Sequence, residues 1–336
     1  MSAGAPMVAG DRLRRVRWTP SALLARFGPH AALVVLVAVF AALSPAFLTL
    51  GNGINVLQQT STIGIMAIGE TLVILAGGID VSVGSVLGLG GMVAAMVMRE
   101  PGANTALAVA LGIAAGLGVG LANGVVITRL GIDPFIATLA MLSVTRGVVY
   151  IISNQYNVNV PDDSGFLVLG RGHAAGVPTS VLIFVALLAA AWILERRTTI
   201  GRAVHALGGN PAAAWLCGIR LASVRTATYA ISGACAALAG VIITAQVGLA
   251  VPYQGTGYEL DVIAAVVVGG VSLAGGSGSV VVGALGSIFI GVLLDGMALL
   301  NVTAIWQMVI RGVVIIAAVA LYGVARSRRG ETGHKP

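Results

Sequence analysis

Arg196–Arg225 reads RRTTIGRAVHALGGNPAAAWLCGIRLASVR, a polar interval with five arginines between two apolar stretches. In its middle, Asn210 precedes Pro211 and a run of alanines. This pattern is typical of a helix start, because an asparagine side chain accepts from an unpaired amide and proline fits the first helical position. Gly218 then supplies a left-handed stop. The interval therefore predicts a short helix, Asn210–Gly218, in a loop that is either a passive connector or a surface held by another protein.

The composition of the whole chain is that of a membrane protein. Of its 336 residues, 57% are hydrophobic and 9% are charged, whereas a soluble domain carries about 25% charged residues. The two cysteines make no disulfide framework, and no cluster of His, Cys, Asp or Glu has metal-ligand spacing. The G-x4-GK[ST] sequence of an ATP-binding loop is absent, and no nucleophile stands in a plausible arrangement with a histidine and a carboxylate. No catalytic residue and no metal site are predicted.

Apolar stretches alternate with short polar connectors along the chain. A membrane-spanning helix needs about 20 apolar residues, and we predict an all-α polytopic membrane protein with about ten such helices. Its parts are a cytoplasmic tail at 1–29, a transmembrane domain at 30–322 that includes the cytoplasmic loop 196–225, and a second cytoplasmic tail at 323–336. The predicted spans, of which the eighth is short, are His30–Leu50, Ser61–Ala76, Val81–Met98, Leu107–Thr128, Pro134–Ile152, Pro178–Leu194, Thr226–Val247, Leu260–Leu273, Val280–Leu300 and Ala304–Tyr322.

The basic residues orient these spans, because cytoplasmic loops collect Arg and Lys. With the N terminus inside, the first tail holds five basic residues, the loop at Arg129 one, the 196–225 loop five and the C-terminal tail four. Only Arg99 and Arg171 fall outside. Ten spans with both termini in the cytoplasm follow from this distribution. The formal net charge of +7 is then a topology signal, and nucleic-acid binding is not predicted.

Three separate stretches resemble one family, the membrane subunits of bacterial ABC importers and, more narrowly, the ribose-type sugar permeases. The first is Gly201-Arg202-x5-Gly208-x-Asn210-x2-Ala213-x4-Gly218-Ile219, which resembles the family's coupling loop. The second is ETLVILAGGIDVSVGS at Glu70–Ser85, and the third is GTGYELDVIAAVVVGGVSLAGG at Gly255–Gly276, where Val271 and Ala274 depart in detail. Together with the ten-span pattern, the resemblance covers nearly the whole chain.

This resemblance implies a permease subunit of an ABC importer in the cytoplasmic (inner) membrane, carrying a monosaccharide or similar small polar solute. Two permease subunits, expected to be a homodimer, would each dock one ATP-binding subunit, so that ATP is bound by a partner and this chain holds no cofactor. An extracytoplasmic binding protein would deliver the solute. The residues that would contact the ATP-binding subunit are Gly201, Arg202, Gly208, Asn210, Pro211, Ala213 and Gly218.

One sizeable loop, about Ser153–Val177, is predicted on the outer face. It is either a solvated connector or the surface on which the binding protein docks. The sequence leaves both possibilities open.

Glycine-rich breaks mark candidate parts of the translocation pathway. Gly77 and Gly78 each lower helix stability by about 1 kcal/mol relative to alanine, so a helix break is predicted there. Freed backbone groups inside a membrane must face protein or water. Asp80 is interpreted as the N-cap of the third span, with contact to the substrate as the alternative. The residues predicted for pathway and hinge are Glu70, Gly77, Gly78, Asp80, Ser82, Glu259 and Asp261.

Two charges fall inside the last two spans. Asp295 and Arg311 lie roughly 8–11 Å below the outer boundary at 1.5 Å per residue, on helices joined by a short connector. Arginine can hold a carboxylate with two hydrogen bonds, and an Asp295–Arg311 ion pair is predicted. The alternatives are that Arg311 reaches outward to the interface, or that Asp295 faces a wet pathway alone.

Other functions compete with an ABC permease. A secondary transporter driven by protons or sodium would use Glu70, Asp80 and Asp295 to carry ions, but it needs no held cytoplasmic helix. A membrane scaffold leaves the buried charges unexplained. Within ABC importers, a branched-chain amino-acid permease is the nearest alternative. Neighbouring genes for an ATPase and a binding protein would discriminate between these classes.

Overall fold

The computed structural model describes residues 20–327, with the side chains of 31–314, 316 and 317. Most of the two predicted tails, residues 1–19 and 328–336, therefore lies outside the described residues. Within the described range the helices are α1 (Pro20–Leu43), α2 (Leu50–Leu75), α3 (Val83–Met98), α4 (Thr105–Arg129), α5 (Pro134–Ser153), α6 (Val168–Arg171), α7 (Thr179–Arg197), α8 (Thr199–Gly209), α9 (Pro211–Leu216), α10 (Leu221–Val247), α11 (Tyr258–Gly269), α12 (Val280–Leu299) and α13 (Ala304–Ser327). The short strands are β1 (Val158–Asn159), β2 (His173–Ala174), β3 (Val177–Pro178) and β4 (Leu249–Ala250).

Each of the ten predicted spans contains a helix, but several boundaries differ. The largest difference is at α2, which begins at Leu50 and not at the predicted Ser61. Thr49 explains the earlier start, because its side chain accepts from the amide of Asn52 at 3.3 Å and caps the helix. Polar residues follow this cap, so the hydropathy pattern did not indicate the first turns of the helix.

Several of the helices suit a bilayer. On length and composition, α4, α5, α7, α10 and α12 are long and apolar enough to cross a membrane. The eighth predicted span corresponds to α11, which has 12 residues. At 1.5 Å per residue it is about 18 Å long, against a hydrocarbon core of about 30 Å. The all-α class with several spans is thus supported, whereas the number ten and the cytoplasmic termini stay predictions.

The core is built around α2, in which every residue from Thr60 to Leu75 is buried. This helix packs against α12, α10, α11 and α7, and α10 in turn packs against α3 and α4. Small residues allow these close approaches, as they do in membrane helix pairs. A Cβ atom at Gly116 would overlap the carbonyl oxygen of Gly233, and a Cβ atom at Gly233 would overlap that of Gly116. The outer faces of α4, α5, α7 and α13 carry exposed large apolar side chains, which is typical of a surface that meets lipid or another protein.

The predicted outer loop is folded onto the helices. β1 pairs antiparallel with β4, and β2 pairs antiparallel with β3. Arg171 on α6 donates to the carbonyl oxygens of Gln246 and Val247 at 2.9 and 2.8 Å, at the end of α10. The loop is therefore fixed to the helical core at both a strand pair and an arginine.

Candidate functional site

The predicted polar loop 196–225 is largely helical. α7 continues into it as far as Arg197, α10 starts in it at Leu221, and α8 occupies Thr199–Gly209. α8 was not among the predicted helices. Its N-cap is Thr198, whose side chain accepts from the amide of Gly201 at 3.3 Å. The signal in the sequence was the spacing of Gly201, Val204 and Leu207, which are the buried residues of this helix.

The predicted short helix is confirmed as α9, with the predicted ends. Asn210 is its N-cap and accepts from the amide of Ala213 at 3.0 Å, and Pro211 is its first residue. Gly218 has φ +80°, in the left-handed region that favours glycine. Its amide donates to the carbonyl of Trp215 at 2.9 Å, and the amide of Ile219 donates to that of Ala214 at 3.1 Å. These bonds close the helix as a left-handed stop does.

The free face of α9 is apolar. Trp215 is 67% exposed and Leu216 is 77% exposed, whereas Ala214 is buried beneath them. Arg202, Asn210, Ala213 and Gly218 of the coupling-loop pattern are exposed as well. A shallow cavity of about 520 Å³ borders the helix, and it is lined by Trp215, Gly218, Ile219, Arg220, Leu221, Ala222 and Ser223. An exposed apolar patch bordered by polar groups is typical of a protein-binding surface.

Glycines join this loop to the predicted helix break, which is confirmed. α2 ends at Leu75, and Gly77 has φ +77°. A Cβ atom at Gly208 would overlap the carbonyl oxygen of Leu75, and the same oxygen accepts from the amide of Gly276 at 2.9 Å. A Cβ atom at Gly275 would lie 3.0 Å from the Cα atom of Gly77. The end of α2, the end of α8 and the 272–278 turn therefore meet backbone to backbone, at a place we call the glycine junction.

A second set of contacts ties α8 to the start of α12. Glu195, which is 3% exposed near the end of α7, has one carboxylate oxygen 3.0 Å from Nε2 of His205 and accepts from the amide of Val280 at 3.0 Å with the other. Nδ1 of His205 lies 3.2 Å from the carbonyl oxygen of Gly276. The hydrogen bond with the Glu195 carboxylate raises the pKa of His205, and partial burial of the ring acts in the opposite direction.

Three predicted pathway residues form a buried polar cluster. The amide of Asp80 donates to Glu70 at 3.1 Å, and the hydroxyl and amide of Ser82 donate to Asp80 at 2.6 and 3.0 Å. Ser232 donates to the other oxygen of Asp80 at 3.1 Å, and Asn123 donates to the hydroxyl of Ser82 at 2.9 Å. All five side chains are at most 1% exposed. Among the described side chains, one oxygen each of Glu70 and Asn123 has no hydrogen-bond partner.

Asp80 lies close to the start of α3 without acting as its N-cap. The N-cap position belongs to Ser82, which makes no side-chain cap. Asp80 instead binds the amide and hydroxyl of that residue. The carboxylate therefore organises the turn ahead of the helix. Sequence reasoning named Asp80 and Ser82 and omitted Ser232 and Asn123, which reach the cluster from α10 and α4.

Glu259 and Asp261 lie in the first turn of α11 and take different partners. Glu259 accepts from the amide of Gly257 at 3.2 Å, and a Cβ atom at Gly84 would overlap its carboxylate. The loop before α11 thus lies against the start of α3, two residues along the chain from Ser82 of the buried polar cluster. Arg146 holds this loop in place by donating to the carbonyl oxygens of Pro252 and Gln254 at 2.9 and 2.8 Å.

The predicted Asp295–Arg311 ion pair is wrong. Arg311 pairs with Asp261, at 2.8 Å between Nη1 and Oδ2. Asp295 instead accepts from the side-chain amide of Asn52 at 2.8 Å. The prediction assumed that consecutive helices face each other through their charged side chains. In the structure α13 packs against α11 and α12 packs along α2, so each charge meets a partner from a helix distant in sequence.

Comparison with known proteins agrees with the resemblance of the three stretches. The family model described as "Branched-chain amino acid transport system / permease component" matches residues 52–319. The chain is 45% identical over 291 residues to the ribose import permease protein RbsC of Escherichia coli strain K12, covering 86% of this chain and 90% of that protein. It is 42% identical over 301 residues to the ribose import permease protein RbsC of Bacillus subtilis strain 168, covering 89% and 93%. It is 36% identical over 298 residues to the D-allose transport system permease protein AlsC of Escherichia coli strain K12, covering 88% and 91%. No solved structure matches the chain.

Proposed function

The chain belongs to the family of branched-chain amino acid transport system permease components, and on that premise we propose which solute it moves and what drives it. It is a multi-pass protein of the inner membrane and the permease subunit of an ABC sugar importer. The solute is an aldose monosaccharide such as ribose or a similar small polar molecule. Identity of 45% to a ribose import permease over 86% of the chain carries this choice.

ATP is hydrolysed on a separate subunit that docks on α9. The exposed apolar pair Trp215 and Leu216 and the cavity beside them support this assignment. A cleft in the ATP-binding subunit would cover this face, with Arg202 and Ala213 at its edge. Movement of α9 and α8 would then act through the glycine junction on α2. In this scheme Gly201, Gly208, Asn210, Pro211 and Gly218 set the shape of the loop.

Substitution of the exposed face tests the docking site. Ala213→Asp and Leu216→Asp place a charge on a surface that must enter an apolar cleft. Both variants are expected to insert into the membrane normally and to lose at least tenfold in affinity for the ATP-binding subunit, since a desolvated interface contact is worth about 1.4 kcal/mol or more. Co-purification of the two subunits from detergent measures the effect.

Tyr156→Asp is the matched control for these variants. Tyr156 is 76% exposed, as Leu216 is, but it lies in the predicted outer loop. This variant should keep the ATP-binding subunit bound. Full retention of the subunit by both Ala213→Asp and Leu216→Asp would refute docking on α9.

The assembly we propose has two copies of this chain, two ATP-binding subunits and one extracytoplasmic binding protein. The predicted ten spans with both termini in the cytoplasm would put the 196–225 loop on the side of the ATP-binding subunits. The 153–177 loop would then receive the binding protein. Its support is an outer cavity of about 450 Å³ lined by Arg99, Asn159, Val160, Pro161, Asp162 and Gly248. A rigid loop with both charge signs at its rim suits a transient protein contact.

The break at Gly77 and Gly78 acts as the hinge of the pathway. Its neighbours support this role, because Gly77 contacts the glycine junction and a Cβ atom at Gly78 would overlap the hydroxyl of Tyr229. The buried polar cluster of Glu70, Asp80 and Ser82, together with Glu259 and Asp261, would line the route when the subunit opens. In the conformation described here, Glu70, Asp80 and Ser82 are closed off from solvent.

Branched-chain amino acids are the second candidate solute, because the matching family model carries that description. Direct uptake separates the two classes. Reconstituted vesicles should accumulate labelled ribose and should not accumulate labelled leucine. Accumulation of leucine and not of ribose would transfer the assignment to amino acids.

A further inference from the structure

Glu195 is a buried carboxylate at the cytoplasmic end of α7. A buried charge is tolerated when it is paired and fully hydrogen-bonded, and both oxygens of Glu195 have partners. One contacts His205 on α8, and the other accepts from the amide of Val280. Val280 is the first residue of α12. The unpaired amides and the positive end of a helix favour a negative charge at that point, so one side chain joins α7, α8 and α12.

The geometry at His205 fixes how many protons this pair holds. A carbonyl oxygen only accepts, so the Nδ1 atom that faces Gly276 carries a proton. The 3.0 Å contact between Nε2 and the Glu195 carboxylate then needs a second proton, either on Nε2 or on the carboxyl group. In both arrangements the pair binds one proton more than a neutral histidine beside an ionised carboxylate.

The charges around His205 are few. α7 contributes Glu195, Arg196 and Arg197, α8 itself contributes Arg202, and α10 contributes Arg225. The 272–279 turn, the end of α2 after Glu70 and the first turn of α12 carry no titratable side chain. Arg196 opposes protonation of the ring, but the hydrogen bond to Glu195 outweighs it and raises the pKa of His205.

We propose that Glu195 and His205 form a protonated latch that fixes α8 to the start of α12 and carries movement of α8 and α9 into the transmembrane helices. This proposal rests on the proposed function, because the movement it transmits is that of the ATP-binding subunit. Both are positioning residues and neither contacts the solute. At the glycine junction, close backbone packing holds α8 against α2. In the latch, a protonated hydrogen bond between Glu195 and His205 holds α8 against α12.

The latch makes stability depend on pH with a defined sign. The pKa of His205 is raised in the folded chain above the ordinary histidine value of 6.5. The contribution of the latch is therefore complete below that value and is lost as pH rises through the raised pKa. The melting temperature of the purified permease should exceed that of His205→Gln by roughly 2 °C at pH 6, and the difference should shrink toward pH 9.

Arg197→Gln is the matched control, since Arg197 is an exposed cation at the same end of α7 and packs on Trp192 outside the latch. Its melting temperature should follow the wild-type pH profile. A constant difference between wild type and His205→Gln from pH 6 to pH 9 would overturn the protonated latch. This measurement needs no partner or solute, so its result stands even where the proposed function fails.

Transport tests the mechanical part of the proposal. In vesicles that hold the permease, the ATP-binding subunit and internal ATP, with the binding protein outside, His205→Ala should lower the solute moved per ATP hydrolysed by about tenfold, equivalent to about 1.4 kcal/mol. ATP hydrolysis itself should persist, because the docking face of α9 is intact. Glu195→Gln should likewise lower the solute moved per ATP hydrolysed while ATP hydrolysis persists. An unchanged ratio in both variants would overturn the latch, whereas a wild-type complex without ATP-driven uptake would overturn the proposed function instead.

Discussion

At the scale of single residues, the charges inside the apolar part of the chain are satisfied by partners from distant helices. Arg311 pairs with Asp261, and Asp295 accepts from Asn52. Removing one member of a buried pair leaves an uncompensated charge, which costs about 3–5 kcal/mol, whereas neutralising both members is often tolerated. The ion pair that stabilises the position of α13 is therefore Asp261–Arg311, which joins α13 to α11.

A double-mutant cycle tests this pairing. Asp261→Asn and Arg311→Gln should each lower the free energy of unfolding by about 3 kcal/mol, and the double variant should recover much of the loss. Asp295→Asn combined with Arg311→Gln is the control, and its two effects should add. Denaturation of the purified protein measures all of them. Additive effects for Asp261 and Arg311 would contradict the pair.

Local residue patterns correctly predicted the features whose geometry depends only on residues nearby in the chain. The cap at Asn210, the stop at Gly218 and the break at Gly77 each rest on backbone geometry within a few residues, and each is confirmed. The partner of Arg311 was predicted wrongly, since it depends on which helices pack together. Hydropathy and charge carry no information on that choice.

At the scale of the elements, α8 is held by packing more than by its own sequence. Its buried residues, Gly201, Val204 and Leu207, form one narrow stripe, and short helices draw most of their stability from tertiary contacts. That explains why α8 was not predicted within a polar interval that carries five arginines. The contact that fixes its end is the approach of Gly208 to the carbonyl oxygen of Leu75.

Two neighbouring glycines provide a matched test of this contact. Gly208→Ala would push a methyl group into the Leu75 carbonyl and to 2.5 Å from the amide of Gly276, whereas a Cβ atom at Gly209 meets nothing within 4 Å. Overpacking of this kind costs about 1–3 kcal/mol. The melting temperature should fall for Gly208→Ala and stay near wild type for Gly209→Ala. Equal melting temperatures for the two variants would mean that α8 does not depend on the glycine junction.

At the scale of the whole molecule, the order of the ten apolar helices followed from the sequence, whereas several of their ends did not. Each of the ten predicted apolar stretches corresponds to one helix in the described range, because the length and the periodicity of an apolar run indicate a buried helix. The exception in length is α11, which has only 12 residues. The sequence shows only a short apolar run where the structure has this short helix between two loops.

The native cysteines test the topology. Cys217 is exposed at the end of α9 and Cys235 is buried in α10. With both termini in the cytoplasm, a membrane-impermeant maleimide should leave Cys217 unlabelled in intact cells that express the permease alone, and should label it after permeabilisation. Tyr156→Cys in a Cys217→Ser background should be labelled without permeabilisation. Labelling of Cys217 in intact cells would invert the topology.

The central claim is that ATP on a partner subunit, and not an ion gradient, drives a monosaccharide through this permease. Uptake of radiolabelled ribose into vesicles that hold the permease and the ATP-binding subunit, with the binding protein outside, tests it most directly. We expect accumulation only when ATP is inside the vesicles, and no change when a protonophore collapses the proton gradient or sodium is removed. Uptake that needs an imposed proton or sodium gradient and proceeds without ATP would contradict the claim and identify Glu70 and Asp80 as ion carriers of a secondary transporter.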